Sequence, residues 1–369
     1  MLANVYSKSH IQSSQAAKEQ ARIIIYERLL PAIADSSSSA LEPNGIDVHS
    51  LFLATAMDFI SAYIFGISKG TNFIQNKSYR DHWLDLYNSR NEHHFWPQEM
   101  TGLTAFMQKL GVWMYPRWVD DANEELAQWN TRLCSEALEA QDATWTKSAI
   151  ADEPVVMNSL NAGIDKEEKL NGQTSPLYST VIKQRELSVS SELFDHVLAG
   201  QETTGTTLTY LCWHMSDSTK LQQRLRDELL TLQPNMLCKD QQPGATPDAK
   251  ELDALPLLHG VIMETLRLHA PIPGSLARRT PYPSSNIGGY NVPGGVRISG
   301  LAHTMHRDKD VFPQPHLWDP NRWLAAESTE EERRERHRQF WAFSSGGRMC
   351  IGSNFAMIGR FRSVSHGSV

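Results

Sequence analysis

Phe343-Ser344-Ser345-Gly346-Gly347-Arg348-Met349-Cys350-Ile351-Gly352 decides how the rest of the chain is understood. It sets one cysteine in a glycine-rich loop, two residues after an arginine and ahead of an expected helix start. A thiolate stays deprotonated only where positive potential holds it, and a helix N-terminus supplies unbonded N–H groups and positive partial charge. Gly346, Gly347 and Gly352 let the backbone turn tightly and let a large flat ligand come close. The plain alternative is a buried cysteine beside a turn, the common fate of a lone cysteine.

Working back from that loop, two further segments stand out. Ala199-Gly200-Gln201-Glu202-Thr203-Thr204 lies inside a long helix expected over 181–215. Ala199 and Thr203 are four apart and share a face, so small residues there are expected to leave room for a ligand. Glu202 offers a carboxyl and Thr203 a hydroxyl. Glycine and paired threonines weaken a helix, so something other than propensity selects them, or else they mark a kink lined by hydroxyls. The second segment, Glu264-Thr265-Leu266-Arg267, puts an acid and a base on one helix face, where they can pair. Such pairs are common on surface helices. Here the pair sits in an apolar helix followed by His269-Ala270-Pro271, and downstream comes Trp318-Asp319-Pro320-Asn321-Arg322-Trp323.

The order and spacing of these segments resemble the cytochrome P-450 monooxygenases, closest in flavour to fungal microsomal members. F-x-x-G-x-R-x-C-x-G is similar to that family's haem-binding loop. The resemblance implies a mainly α chain with a small β part, the cytochrome P-450 fold in incomplete form. It implies heme b (iron-protoporphyrin IX) as cofactor, Cys350 as its axial iron ligand, and electron push from the thiolate. Phe343 belongs to the same loop. Arg348 corresponds to a contact for a haem propionate, and Arg278 in Pro273-Gly-Ser-Leu-Ala-Arg278 to another, with Arg279 adjoining it. Glu202 and Thr203 take the place of the family's proton-delivering acid and alcohol. Glu264, Arg267 and Arg322 correspond to a structural acid flanked by two arginines. The implied activity puts one oxygen atom of O2 into a lipophilic small-molecule substrate. NADPH-cytochrome P-450 reductase is the implied electron donor, docking near the Cys350 loop, with Arg333, Arg334 and Arg338 as candidate contacts. The resemblance implies the endoplasmic reticulum membrane for a complete family member, with a soluble cytoplasmic location as the alternative for a chain without the anchor. His306-Arg307-Asp308 matches a recurrent family segment, with a solvated turn as its plain alternative.

Against the family pattern both ends look short. Residues 1–358 are expected to form one domain without the N-terminal anchor and sheet region or the last strands. The polar, basic segment 359–369 stands where a long apolar helix is expected. A non-catalytic fragment that binds haem poorly is the alternative, and a helical interaction module is a third possibility.

Composition agrees with an ordinary folded domain. Hydrophobic residues make up 40% of the 369 and charged residues 21%, so a large core is within reach. A net charge of −7 lacks the basic excess of a nucleic-acid binder, and no nucleic acid is expected. Four cysteines, Cys134, Cys212, Cys238 and Cys350, are far apart and form no C-x-x-C pair, which gives no zinc site or disulfide scaffold. The most apolar stretch, 51–67, is interrupted by Thr55, Asp58 and Ser61 and reads as a core helix capped by Asp47. Helices are expected over 12–30, ending at Pro31, and over 72–88, 123–138, 218–232 and 252–269. Loops are expected at 35–40, 152–176 and 233–250. After Pro271, short strands are expected at 287–292 and 296–299, and the charged run 327–338 as a solvated face.

Overall fold

The computed structural model describes residues 2–38, 45–142, 149–234 and 247–359. Cys238 and the tail beyond Gly359 lie outside the described residues. The chain divides into two compact units, Met1–Gln201 and Glu202–Val369.

The first unit is helical. Its centre is Val48–Phe65, where Asp47 caps the N-terminus by accepting from the His49 N–H at 3.0 Å. This helix is long and apolar enough to cross a membrane, yet 72% of it is buried in protein, as suits a core helix. It ends at Gly66 with φ 87°, where a side chain would collide with the Asp152 carbonyl oxygen. Asp58 within it is fully buried. Its carboxylate accepts from Thr71 Oγ1 and the Phe73 N–H, each at 2.7 Å, and from Arg28 Nη1 at 3.2 Å. Burial pushes its pKa up to about 6, while these donors favour the charged form.

Three expectations fail in this unit. The chain remains helical through Pro31 to Ser38, so it neither stops at Pro31 nor forms the loop expected from Asp35. A π-helical stretch, Ile23–Leu29, widens the turns just before a residue with no N–H to donate. Residues 152–176 are mostly helix, not loop: Val155–Asn171 buries Val155, Val156, Met157, Leu160 and Ile164 on one side. Its charged last turns masked that apolar stripe in the sequence. Lys77–Asn91 and Trp118–Asp142 form near the expected places.

The helix Arg185–Ser216 runs 32 residues as continuous α-helix. In the second unit, Thr219–Leu229 follows, capped by Ser218, and then Pro256–Leu268, whose proline occupies the first turn. Among the described residues four strands form two antiparallel ribbons, β1 (Ser275–Arg279) with β4 (Arg297–Leu301), and β2 (Ser284–Ile287) with β3 (Tyr290–Pro293). The single strand expected over 287–292 is therefore a hairpin. It turns at Gly288 and Gly289, both at positive φ. The charged run becomes the helix Glu330–Gln339 with a Thr329–Glu332 capping box. Its outer residues are solvated, but Arg336 is buried and donates to the Arg322 carbonyl oxygen at 2.6 Å.

Candidate cysteine-loop site

Glu264 lies at the centre of a dense hydrogen-bonded group in the second unit. On Pro256–Leu268 it is fully buried, as is Arg267 one turn on. Arg267 meets it with both prongs, Nη2 to Oε1 at 2.8 Å and Nε to Oε2 at 2.9 Å. Arg322 Nε donates to Oε1 at 2.9 Å, the Asp319 N–H to Oε1 at 3.0 Å, and Trp323 Nε1 to Oε2 at 3.0 Å. One carboxylate cannot neutralise two guanidiniums. The remaining donors go to carbonyl oxygens: Arg267 binds those of His306, Pro315 and Leu317, and Arg322 those of Pro313 and Gln314. Segment 306–317 is thus wrapped around a charged centre in which Glu264 and Arg267 are fully buried and Arg322 nearly so. Gly260 permits the close approach, because a Cβ there would lie 2.8 Å from the Pro320 carbonyl oxygen.

The cysteine loop leaves the same neighbourhood. Met263, Phe312 and Trp323 form a buried cluster with Phe340 and Met357 against it, so the segments before and after the loop are both anchored. Ser344 takes φ 60° and Gly346 φ 72°, which turns the chain back on itself. The Cys350 N–H donates to the Phe343 carbonyl oxygen at 2.9 Å, closing the loop, and residues 353–359 are helical. Cys350 is exposed and Met349 and Ile351 beside it are 55% and 45% exposed. A buried cysteine beside a turn is therefore not what forms. Among the described cysteines Cys134 is the buried one, with its thiol pushed by burial up to about 11.

Other candidates occupy separate segments. Arg348 is exposed on the loop. Arg278 is exposed on β1, facing Ile298 of β4 in register, and strand alternation places it and Arg279 on opposite faces. Glu202 is exposed and Thr203 half-buried on the long helix. The Thr203 carbonyl oxygen accepts from Thr207 Oγ1 at 2.8 Å, so the extra hydroxyls back-bond within an intact helix. Gly200 is a point of close helix packing. Ile60 fills the space, and a Cβ would come within 2.7 Å of it.

The donor set and surface around Cys350 suit haem. An exposed soft sulfur sits between two exposed apolar side chains. Gly346 and Gly347 have no atom within 4 Å of a would-be Cβ, and exposed guanidiniums are present for carboxylates. Among the described residues no group of three or more His, Cys, Asp or Glu could hold a bare metal ion.

Sequence reasoning missed several contributors. His306 was open to a solvated turn but is fully buried. Asp319 and Trp323 were read only as neighbours of Arg322, yet both donate to Glu264. Their signal was the W-D-P-N-R-W string itself, whose apolar residues flank a charge.

A mostly helical chain with one thiol on a glycine loop, braced by a buried acid between two arginines, defines a haem-thiolate class of protein. The cytochrome P450 family model matches residues 14–361. The chain belongs to the cytochrome P450 family. Cytochrome P450 monooxygenase avaI of Aspergillus versicolor is 25% identical over 370 residues, 97% of this chain and 77% of that protein. Cytochrome P450 monooxygenase orf2 of Aspergillus niger is 34% identical over 163 residues, 44% of this chain and 30% of that one, so the chain spans under a third of that relative's length. The crystal structure of the cytochrome P450DA heme domain superposes with a TM-score of 0.67 at 18% identity, covering 99% of this chain and 68% of the other. These matches leave no place for an unrelated helical interaction module.

Proposed function

We propose that this chain is a haem-thiolate monooxygenase that oxygenates a lipophilic small molecule. The carrying observation is Cys350, exposed on a loop closed by its own N–H to Phe343 and adjoining the buried Glu264–Arg267–Arg322 centre. The similar fungal proteins named as monooxygenases support the activity.

Heme b, when bound, supplies the oxygen-activating chemistry. Cys350 Sγ would ligate its iron as thiolate, with Gly346 and Gly347 allowing the approach. Arg348 and Arg278 would pair with its carboxylates, and Phe343 would pack beside the loop. The Glu202 carboxyl, facing solvent, would pass protons inward to the half-buried Thr203 Oγ1. Glu264, Arg267 and Arg322 hold segment 306–323 in place. Electrons would come from NADPH through cytochrome P-450 reductase at the endoplasmic reticulum membrane. A product of fungal secondary metabolism is the fitting substrate class, since the relatives are fungal. The non-catalytic alternative is less well supported, because the charged centre is completely assembled.

The test is Cys350→Ser. Haem-loaded parent protein should give the strongly red-shifted absorption band of the ferrous–carbon monoxide complex, and the variant should not. Persistence of the band in the variant removes Cys350 from the role, while changes at Cys134 or Cys212 should leave it unaltered.

A further inference from the structure

One fully buried side chain has no part in the roles above. His306 follows the short helix Ala302–Met305 and is 0% exposed. Its ring bonds in two directions: Nδ1 lies 2.8 Å from the Arg267 carbonyl oxygen, and Nε2 lies 2.7 Å from the Trp341 backbone nitrogen. A carbonyl only accepts and a peptide N–H only donates. The tautomer is therefore set: Nδ1–H donates to Arg267, and Nε2 accepts from Trp341. The His306 carbonyl oxygen in turn accepts from Arg267 Nη1 at 2.8 Å. Phe340 stacks on the imidazole at 5.3 Å and 15°, which fixes its rotation.

Trp341 is held from its other side as well. Its indole lies over Gly300 of β4, where a Cβ would come within 2.8 Å of the ring. From Trp341 the chain enters the cysteine loop. The Ser344 N–H donates to the Trp341 carbonyl oxygen at 3.0 Å, and the Cys350 N–H to that of Phe343 at 2.9 Å. A short path of hydrogen bonds and peptide links thus leads from Arg267 to Cys350, and the one side chain in it beyond the charged centre is His306.

We infer that His306 is a positioning residue for the cysteine ligand, tying the Trp341 peptide, and through it the Cys350 loop, to the helix that carries Glu264 and Arg267. The inference rests on the proposed haem-thiolate role of Cys350. It requires the neutral ring, since a proton on Nε2 would oppose the Trp341 N–H. Burial above all, with the Arg267 and Arg307 charges beside it, keeps it neutral against the opposing pull of Glu264 and of the bond to the Arg267 carbonyl.

Three variants of the haem-loaded full chain test this. His306→Phe keeps a flat ring against Phe340 but loses both hydrogen bonds. His306→Gln keeps one donor and one acceptor. Gly300→Ala leaves the histidine and pushes Trp341 from the opposite side. The readouts are the fraction of ferrous–carbon monoxide complex in the red-shifted thiolate form, the rate at which it converts to the blue-shifted form, and circular dichroism for folding. Loss of buried hydrogen bonds from one loop should speed conversion roughly tenfold in His306→Phe. His306→Gln should recover most of the parental behaviour, and Gly300→Ala should resemble His306→Phe. Folded His306→Phe and Gly300→Ala proteins that convert at the parental rate overturn the inference. Should His306→Phe not fold, Gly300→Ala decides alone, in the same two directions. A haem-loaded parent without the red-shifted band would instead bring down the haem-thiolate proposal, and the inference with it.

Discussion

Glu264 accepts five hydrogen bonds in a place without water, so its removal strands two guanidiniums rather than weakening one contact. Breaking a buried pair by deleting one partner costs about 3–5 kcal/mol, against about 0–1 for a surface pair. Glu264→Gln, nearly the same shape, should lose stability in the first range in denaturant titration, and a loss under about 1 kcal/mol would show that the carbonyl oxygens around both arginines suffice. Thr203 allows a chemical prediction. In the proposed role, Thr203→Ala should still bind haem but divert reducing equivalents to hydrogen peroxide. Equal product per NADPH in variant and parent counts against it. At this scale the motif residues were legible because chemistry restricts their type and spacing. His306 was not, because a histidine between Met305 and Arg307 looks the same whether its ring bonds to two backbone groups or to water. The second nitrogen's partner, Trp341, lies 35 positions away.

The elements show where local pattern suffices and where packing overrides it. Val48–Phe65 was legible from its Asp47 cap and apolar run, whereas the helix expected over 252–269 forms only as Pro256–Leu268, because Leu255 is extended and Pro256 opens a new first turn after the short helix Ala249–Asp253. Val155–Asn171 was hidden because only its first half is buried, and the hairpin at Gly288–Gly289 because two short strands read as one. Gly200 is the sharpest case. Nothing in the local sequence explains a glycine there; the reason is tertiary, since Ile60 packs directly against it. Helix propensity alone gives Gly200→Ala a gain of about 1 kcal/mol. A Cβ 2.7 Å from Ile60 Cγ1 should reverse the sign, since overpacking costs about 1–3 kcal/mol. Gly200→Ala should therefore destabilise the protein and Ile60→Ala in the same chain should partly compensate, a coupling that a double-mutant cycle in urea measures. Additive effects, or a stabilised single variant, would mean that the helices separate without strain.

At the level of the whole molecule, the two units carry buried titratable groups of opposite sense. In the second unit burial depresses the His306 pKa from 6.5 to about 4, and burial with the neighbouring His214, Arg307 and Arg267 depresses His269 likewise to about 4. Unfolded histidines take up a proton below pH 6.5 that these folded ones refuse. Stability from them is full above 6.5 and declines as pH falls towards 4, by about 3 kcal/mol for His306 alone. In the first unit Asp58 works the other way. Its folded pKa is raised from 3.8 to about 6, so between those values the folded state binds the proton that the unfolded chain does not, and acidification adds stability. Exposed carboxylates held below their usual range, such as Asp47 by the Ser50 hydroxyl, contribute little through solvent screening. Acidification from pH 6.5 to 4 should therefore loosen Glu202–Val369 before Met1–Gln201. Hydrogen exchange read at buried amides of Pro256–Leu268 and of Val48–Phe65 across that interval separates the two responses. Protection should fall first in Pro256–Leu268, and His306→Gln should flatten its dependence on pH. If Val48–Phe65 loses protection first, Asp58 is held as a carboxylate by its donors strongly enough to reverse the effect of its burial.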